Sequence, residues 1–263
     1  MLTVVAACLG GAGCGQMYPS EAQQTASLGT NGIGIIPSGT LSAIVNRTGR
    51  LVDAADMQKV QPSATQPADL SKLPDASGSN YNPMASGDVV TAIDLRGYYL
   101  TASSNVGSDP MWVVSQAGPK AVRPARVVFK GDANFKLAII CVGSRIPEAF
   151  KWSDDSKDAI NSVLIGSGPV MTDTAGKRTA ELFAGKVVSV AKANGDGCNY
   201  DLVTDSLPCR PADGGGPVLT SDGALVAITT KPAMFKDQSV CIRPDPAWVK
   251  QVIDRDYAMW SGQ

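Results

Sequence analysis

Gly87 to Val106, GDVVTAIDLRGYYLTASSNV, decides the fold. It contains two short apolar runs, Val89-Val90-Thr91-Ala92-Ile93 and Tyr98-Tyr99-Leu100-Thr101, separated by Asp94-Leu95-Arg96-Gly97. Runs rich in β-branched and aromatic residues, bounded by Asp and Gly, read as a strand, a turn and a second strand. The same signature recurs downstream in Trp112-Val113-Val114, Ala125 to Phe129, Leu137 to Ile140, Val163 to Ile165, Lys186 to Val190 and Leu225 to Ile228. Short strands at this spacing predict an all-β domain, either an antiparallel sandwich or a pair of barrels. One segment reads as helical: Pro246 to Trp260 places Trp248, Val252 and Ile253 near one face, with Pro246 suited to a first turn.

Upstream the composition changes. All four Trp and all five Phe lie beyond residue 110, and residues 15–85 are rich in Ser, Ala, Gln, Gly and Pro. Such a stretch lacks the large apolar side chains that offset the entropy of ordering, so it is expected to be a tether. Residues 40–57 are the exception: Leu41, Ile44, Val45, Leu51 and Val52 flank Arg47-Thr48-Gly49-Arg50, which predicts a β-hairpin joining the first sheet. The folded domain is therefore expected over 86–263. Residues 1–14, MLTVVAACLGGAGC, form a small-residue apolar stretch too short to span a bilayer. It looks like the end of a signal peptide, and Ala12-Gly13-Cys14 resembles a bacterial lipobox, with Cys8 the alternative lipidated residue. This predicts an exported protein of the cell envelope or periplasm that touches a membrane only through a lipid anchor.

The 263 residues include 23 Lys+Arg, 24 Asp+Glu, six Cys and no His. No imidazole is available as general base, proton shuttle, metal ligand or pH switch. Near-neutral charge argues against the basic surface that nucleic acid requires. With no Cys-x-x-Cys pair and no His, a structural zinc site is not expected. Gly214-Gly215-Gly216 lacks the Lys-Ser/Thr of a phosphate loop and precedes a strand, so neither metal nor cofactor is expected. Cys141, Cys198, Cys209 and Cys241 are an even set that suits two disulfides in an oxidising compartment, in any of three pairings, with four buried free thiols as the alternative. Asp154-Asp155 reads as a solvated turn, Asn194-Gly195-Asp196-Gly197 as a hairpin turn, and Trp248 and Trp260 as packing residues.

Three segments then fall into one order. Gly87 to Val106 resembles the strand-turn-strand of HtrA/Deg-type trypsin-like serine proteases, whose Gly-Tyr-x-Leu-Thr-x-x-His-Val run carries the catalytic histidine. Ala125 to Val142, ARVVFKGDANFKLAIICV, resembles their Asp-Leu-Ala-Leu-Leu-Lys-Val strand. Thr204 to Thr230, TDSLPCRPADGGGPVLTSDGALVAITT, resembles their Gly-Asn-Ser-Gly-Gly-Pro-Leu segment and the Asp-Gly-x-x-x-Gly-Ile run after it. Ile146 to Ser156 and Gly185 to Ser189 match the interdomain connection and the Gly-x-Val-Ser strand between them. The likeness runs from 86 to 255. It implies two six-stranded antiparallel β-barrels with a C-terminal α-helix. Because that family often links the loop before its nucleophile to the strand after its specificity pocket, it also implies a Cys209–Cys241 disulfide, leaving Cys141–Cys198.

Transferred residue by residue, the catalytic positions hold Ser104 for histidine, Lys136 for aspartate and Gly214 for the nucleophile. A serine triad needs a hydroxyl, an imidazole and an orienting carboxylate; none is in place. The oxyanion loop reads Ala212-Asp213-Gly214, with Ala212 where the family has glycine. A second placement, on Gly49 to Asp56, puts Asp56 at the histidine position and likewise supplies no imidazole. The resemblance therefore predicts a pseudoprotease that binds a protein or extended peptide in the cleft between its barrels. Two alternatives stand beside it: a hydrolase with a rearranged Ser104–Lys136 site, since a desolvated Lys can activate Ser, and a structural envelope lipoprotein.

Overall fold

A computed structural model describes residues 39–54, 88–107, 110–115, 121–132, 135–154, 163–172, 178–191, 198–205, 214–230 and 238–260. Among the described residues, twelve strands form two closed antiparallel barrels. The first contains β1 (Thr48–Asp53), β2 (Asp88–Asp94), β3 (Tyr98–Ala102), β4 (Met111–Ser115), β5 (Ala121–Lys130) and β6 (Leu137–Cys141), in the order β1-β2-β3-β6-β5-β4. The second contains β7 (Val163–Thr172), β8 (Arg178–Ala191), β9 (Cys198–Asp205), β10 (Pro217–Leu219), β11 (Leu225–Thr229) and β12 (Gln238–Pro244), in the order β10-β11-β12-β9-β8-β7. Helix α1 (Gly39–Arg47) precedes the first barrel and helix α2 (Pro246–Trp260) follows the second. The double barrel with a C-terminal helix is the architecture that the sequence resemblance implies, and α2 has the predicted bounds.

Strand alternation explains how the barrels meet. Along β6, Ala138 and Ile140 enter the first barrel with Val90, Ala92 and Tyr99. Leu137, Ile139 and Cys141 point the other way, into a core shared with Leu219, Leu225, Ile228 and Ile242 of the second barrel. Both faces of β6 are thus covered, which is why Leu137 to Cys141 reads as an uninterrupted apolar run.

Residues 40–57 do not make a hairpin. Leu41, Ile44 and Val45 recur at helical spacing, and Ile44 and Val45 are buried on one face of α1. The Thr48 hydroxyl donates to the Ile44 carbonyl at 2.8 Å, tying off the last turn, and the chain passes directly into β1. β1 pairs with both β2 and β4, so the first barrel begins at Thr48 rather than near residue 86. Asn46 and Arg47 then hold Glu148 of the interbarrel connection, at 3.0 and 3.1 Å.

Helix α2 leaves the second barrel and packs on the first. Trp248 meets Phe129 and Phe135 edge to face, at centroid distances of 5.0 and 5.3 Å. Burial of Val249 and Ile253 contributes about 1.5–3 kcal/mol each. Polar contacts fix its register: Tyr98 Oη donates to Asp256 at 2.7 Å, Arg126 grips both Asp256 oxygens, and Arg96 bridges Asp94 and Asp254. Burial alone would raise the Asp256 carboxyl, but hydrogen bonds from Arg126 and Tyr98 outweigh it and hold the group below the usual carboxylate range. Asp94 is lowered in the same way, with Arg96 overcoming burial. Trp260, predicted as a packing residue, is 54% exposed, with the Arg126 guanidinium over its ring. It lies in the final turn of α2, past the last residue that reaches the core.

Cys141 is a buried free thiol whose sulfur accepts the Gly143 N–H, so the Cys141–Cys198 pair does not form. The Cys141 side chain is enclosed in the apolar core with Tyr98, Leu137 and Ile139. Cys209 lies outside the described residues. So do Cys8, Cys14, Asp155 and Asn194 to Gly197, although the two strands flanking the predicted hairpin turn, β8 and β9, pair antiparallel. Asp154 is exposed, as a solvated turn residue should be.

Candidate functional site

The positions singled out by sequence converge where the barrels meet. β3 ends at Ala102 and is followed by one turn of 3-10 helix, Ser103–Asn105. The Ser103 N–H donates to the Lys136 carbonyl at 2.9 Å, continuing the β3–β6 ladder by one rung and setting Ser104 next to Lys136 along the chain path. Both residues are exposed. The Ser104 hydroxyl bonds Asn105 Oδ1 at 3.2 Å and makes no bond to Lys136, so among the described residues no base is hydrogen-bonded to it. Lys130, on the same side of the barrel, caps the Val106 carbonyl with its ammonium.

Gly214 arrives from the second barrel and is buried. Its carbonyl accepts the Val89 N–H at 3.2 Å and Asn105 Nδ2 at 2.8 Å. Asn105 Nδ2 also donates to Thr101 Oγ1 at 3.0 Å, and that hydroxyl donates to the Val89 carbonyl at 2.8 Å. Gly215 is held equally firmly: its N–H donates to the Thr229 carbonyl and its own carbonyl accepts the Thr91 hydroxyl, both at 2.8 Å. Gly215 has φ +89°, and a Cβ there would lie 2.1 Å from the Val89 carbonyl oxygen. Only glycine allows this approach of the two barrels.

The structure thus brings together Ser104, Lys136 and Gly214. Ala212 and Asp213 lie outside the described residues, as does Asp56 of the second placement; the strand leading toward Asp56 is β1, separated from β3 by β2. Asn105, which holds the Gly214 carbonyl, is the residue of this site that sequence reading passed over. Its position next to Ser104 in a strand-to-turn junction, with a side chain that both donates and accepts, was the available signal. Among the described residues no three His, Cys, Asp or Glu side chains cluster to hold a metal, and no helix is long and apolar enough to cross a membrane.

No family model and no curated protein matches the chain. Solved structures do. A serine endoprotease from Yersinia pestis aligns with a TM-score of 0.54 at 14% identity, over 91% of this chain and 67% of that one. The inactive form of a Ser→Ala mutant of Rv3671c from M. tuberculosis H37Rv aligns with a TM-score of 0.51 at 12% identity, over 83% of this chain and 90% of that one. At these identities the likeness is one of fold: a trypsin-like double barrel.

Proposed function

We propose that the chain holds an extended polypeptide in the cleft between its barrels and does not cleave it. The observation that carries this reading is the fastening of Gly214. At the position that the sequence resemblance aligns with the nucleophile, a side-chain-free residue has its carbonyl secured by Val89 and Asn105. The 263 residues contain no histidine to activate any hydroxyl nearby. Beside that position Ser104 and Lys136 are exposed, and their polar groups can bond a passing chain.

The test uses unfolded casein as the probe and the full chain carrying a photo-crosslinking side chain in place of Ser104. Casein should be captured on irradiation and recovered uncut, and Gly214→Ser should remain without turnover. Casein cleavage by the unaltered protein that disappears in Lys136→Ala would overturn the proposal in favour of a Ser104–Lys136 hydrolase. Failure to capture any casein would leave a structural protein as the better description.

A further inference from the structure

A second groove lies at the far end of β10 from Gly214. About 420 Å³ in volume, it is bounded by Arg47 at the end of α1, by residues 151–154 after the interbarrel connection, and by Asp222 and Gly223 in the β10–β11 turn. Its floor is a short extended segment. Trp152 forms an isolated parallel bridge with Leu225: the Leu225 N–H donates to the Lys151 carbonyl at 2.7 Å, and the Ser153 N–H donates to the Leu225 carbonyl at 2.8 Å. These bonds use one edge of the segment. The N–H and C=O of Trp152, which alternate to the other edge, make none of the described backbone hydrogen bonds.

The segment is also held rigidly from behind. Arg243 on β12 is fully buried, and its guanidinium donates to Ser153 Oγ at 2.9 Å, to the Ser153 carbonyl at 3.2 Å and to the Val226 carbonyl at 3.0 Å. An unpaired strand edge fixed in place is a template for another extended chain, because main-chain bonds form without first ordering the receptor.

The charges on the groove define what that chain carries. Arg47 is already engaged by Glu148, and Asp222 by the Thr220 hydroxyl. Lys151 and Asp154 are exposed, with no side-chain partner among the described residues. Three positions apart on an extended segment, they are separated by roughly 10 Å and alternate in facing. A peptide with an acidic and a basic side chain three positions apart has the same interval and the same alternation.

We propose that this groove is a docking site for an extended peptide that pairs with the Trp152 edge, placing an acidic side chain beside Lys151 and a basic one beside Asp154. The site is separate from the Gly214 cleft and does not depend on what that cleft binds.

The experiment titrates the full chain with two capped six-residue peptides, Thr-Lys-Val-Thr-Glu-Val and Thr-Lys-Val-Thr-Lys-Val, and follows affinity and the exchange rate of the Trp152 amide. The mixed-charge peptide should bind the unaltered protein about ten-fold more tightly than the doubly basic one, since beside Lys151 it makes an exposed ion pair where the other makes a like-charge contact. It should also slow exchange of the Trp152 amide. Lys151→Glu, an exposed substitution that leaves the fold intact by circular dichroism, should invert the preference. Binding of neither peptide, an affinity order unmoved by Lys151→Glu, or binding that leaves the Trp152 amide exchanging freely each overturns the proposal.

Discussion

Gly215 shows how much one missing side chain controls. With φ at +89° and Val89, Thr101 and Thr229 pressed around it, the residue lets a loop of the second barrel lie directly on β2 and β3 of the first. Gly215→Ala combines an unfavourable backbone conformation with a clash against main chain, which cannot swing aside. It should destabilise the protein by at least about 3 kcal/mol, read as a shift in the urea midpoint. Asn105→Ala removes only one of the two donors to the Gly214 carbonyl and should cost about 1 kcal/mol. Its more specific signature is faster hydrogen exchange at Val89, the remaining donor. A Val89 amide as slow in Asn105→Ala as in the parent would show that Asn105 does not secure the loop.

At the scale of elements, α1 is the place where period and composition competed. Isolated apolar residues on both sides of a Thr-Gly pair look like two strands and a turn, but the intervals between Leu41, Ile44 and Val45 are those of a helix face. Ile44→Ala should therefore destabilise by about 2–5 kcal/mol, the cost of a cavity in a shared core, whereas Ser42→Ala on the exposed side should be nearly silent by the same denaturation measurement. Strands buried on both faces, such as β3, β6 and β11, were legible because their apolar runs are unbroken. β10 was not, since Pro217-Val218-Leu219 is too short for any period to register. β9 and β12 place Asp, Ser and Arg among their apolar residues, so neither gives a clean alternation. At the site, Ser104, Lys136 and Gly214 were singled out by the sequence resemblance. Asn105 was not, because its role depends on a carbonyl 109 residues away.

Across the whole molecule, the two barrels are joined by apolar burial and by a charged clamp on α2. Asp94 and Asp256 both titrate below their unfolded value of about 3.9, because their arginine partners favour the carboxylate. The stability they contribute is therefore complete above about pH 4 and is lost as pH falls through the depressed folded values. Unfolding midpoints in urea should drop steeply below about pH 4, and Asp256→Asn should be less stable at neutral pH yet flatter in acid. An equally steep acid response in Asp256→Asn would place the titrating groups elsewhere.

The crossing of α2 from the second barrel back to the first also sets an order of assembly. Tyr98 on β3, Phe129 on β5 and Phe135 just before β6 are all made before the second barrel, but the residues that cover them, Trp248 and Asp256, are made after it. During synthesis the first barrel can close its hydrogen bonds as soon as β6 is available, yet it keeps an open greasy flank until α2 has been made. A polypeptide stopped short of Pro246 would carry that flank permanently, and cellular quality control recognises such surfaces. Arrival of α2 is thus what finally shields the first barrel.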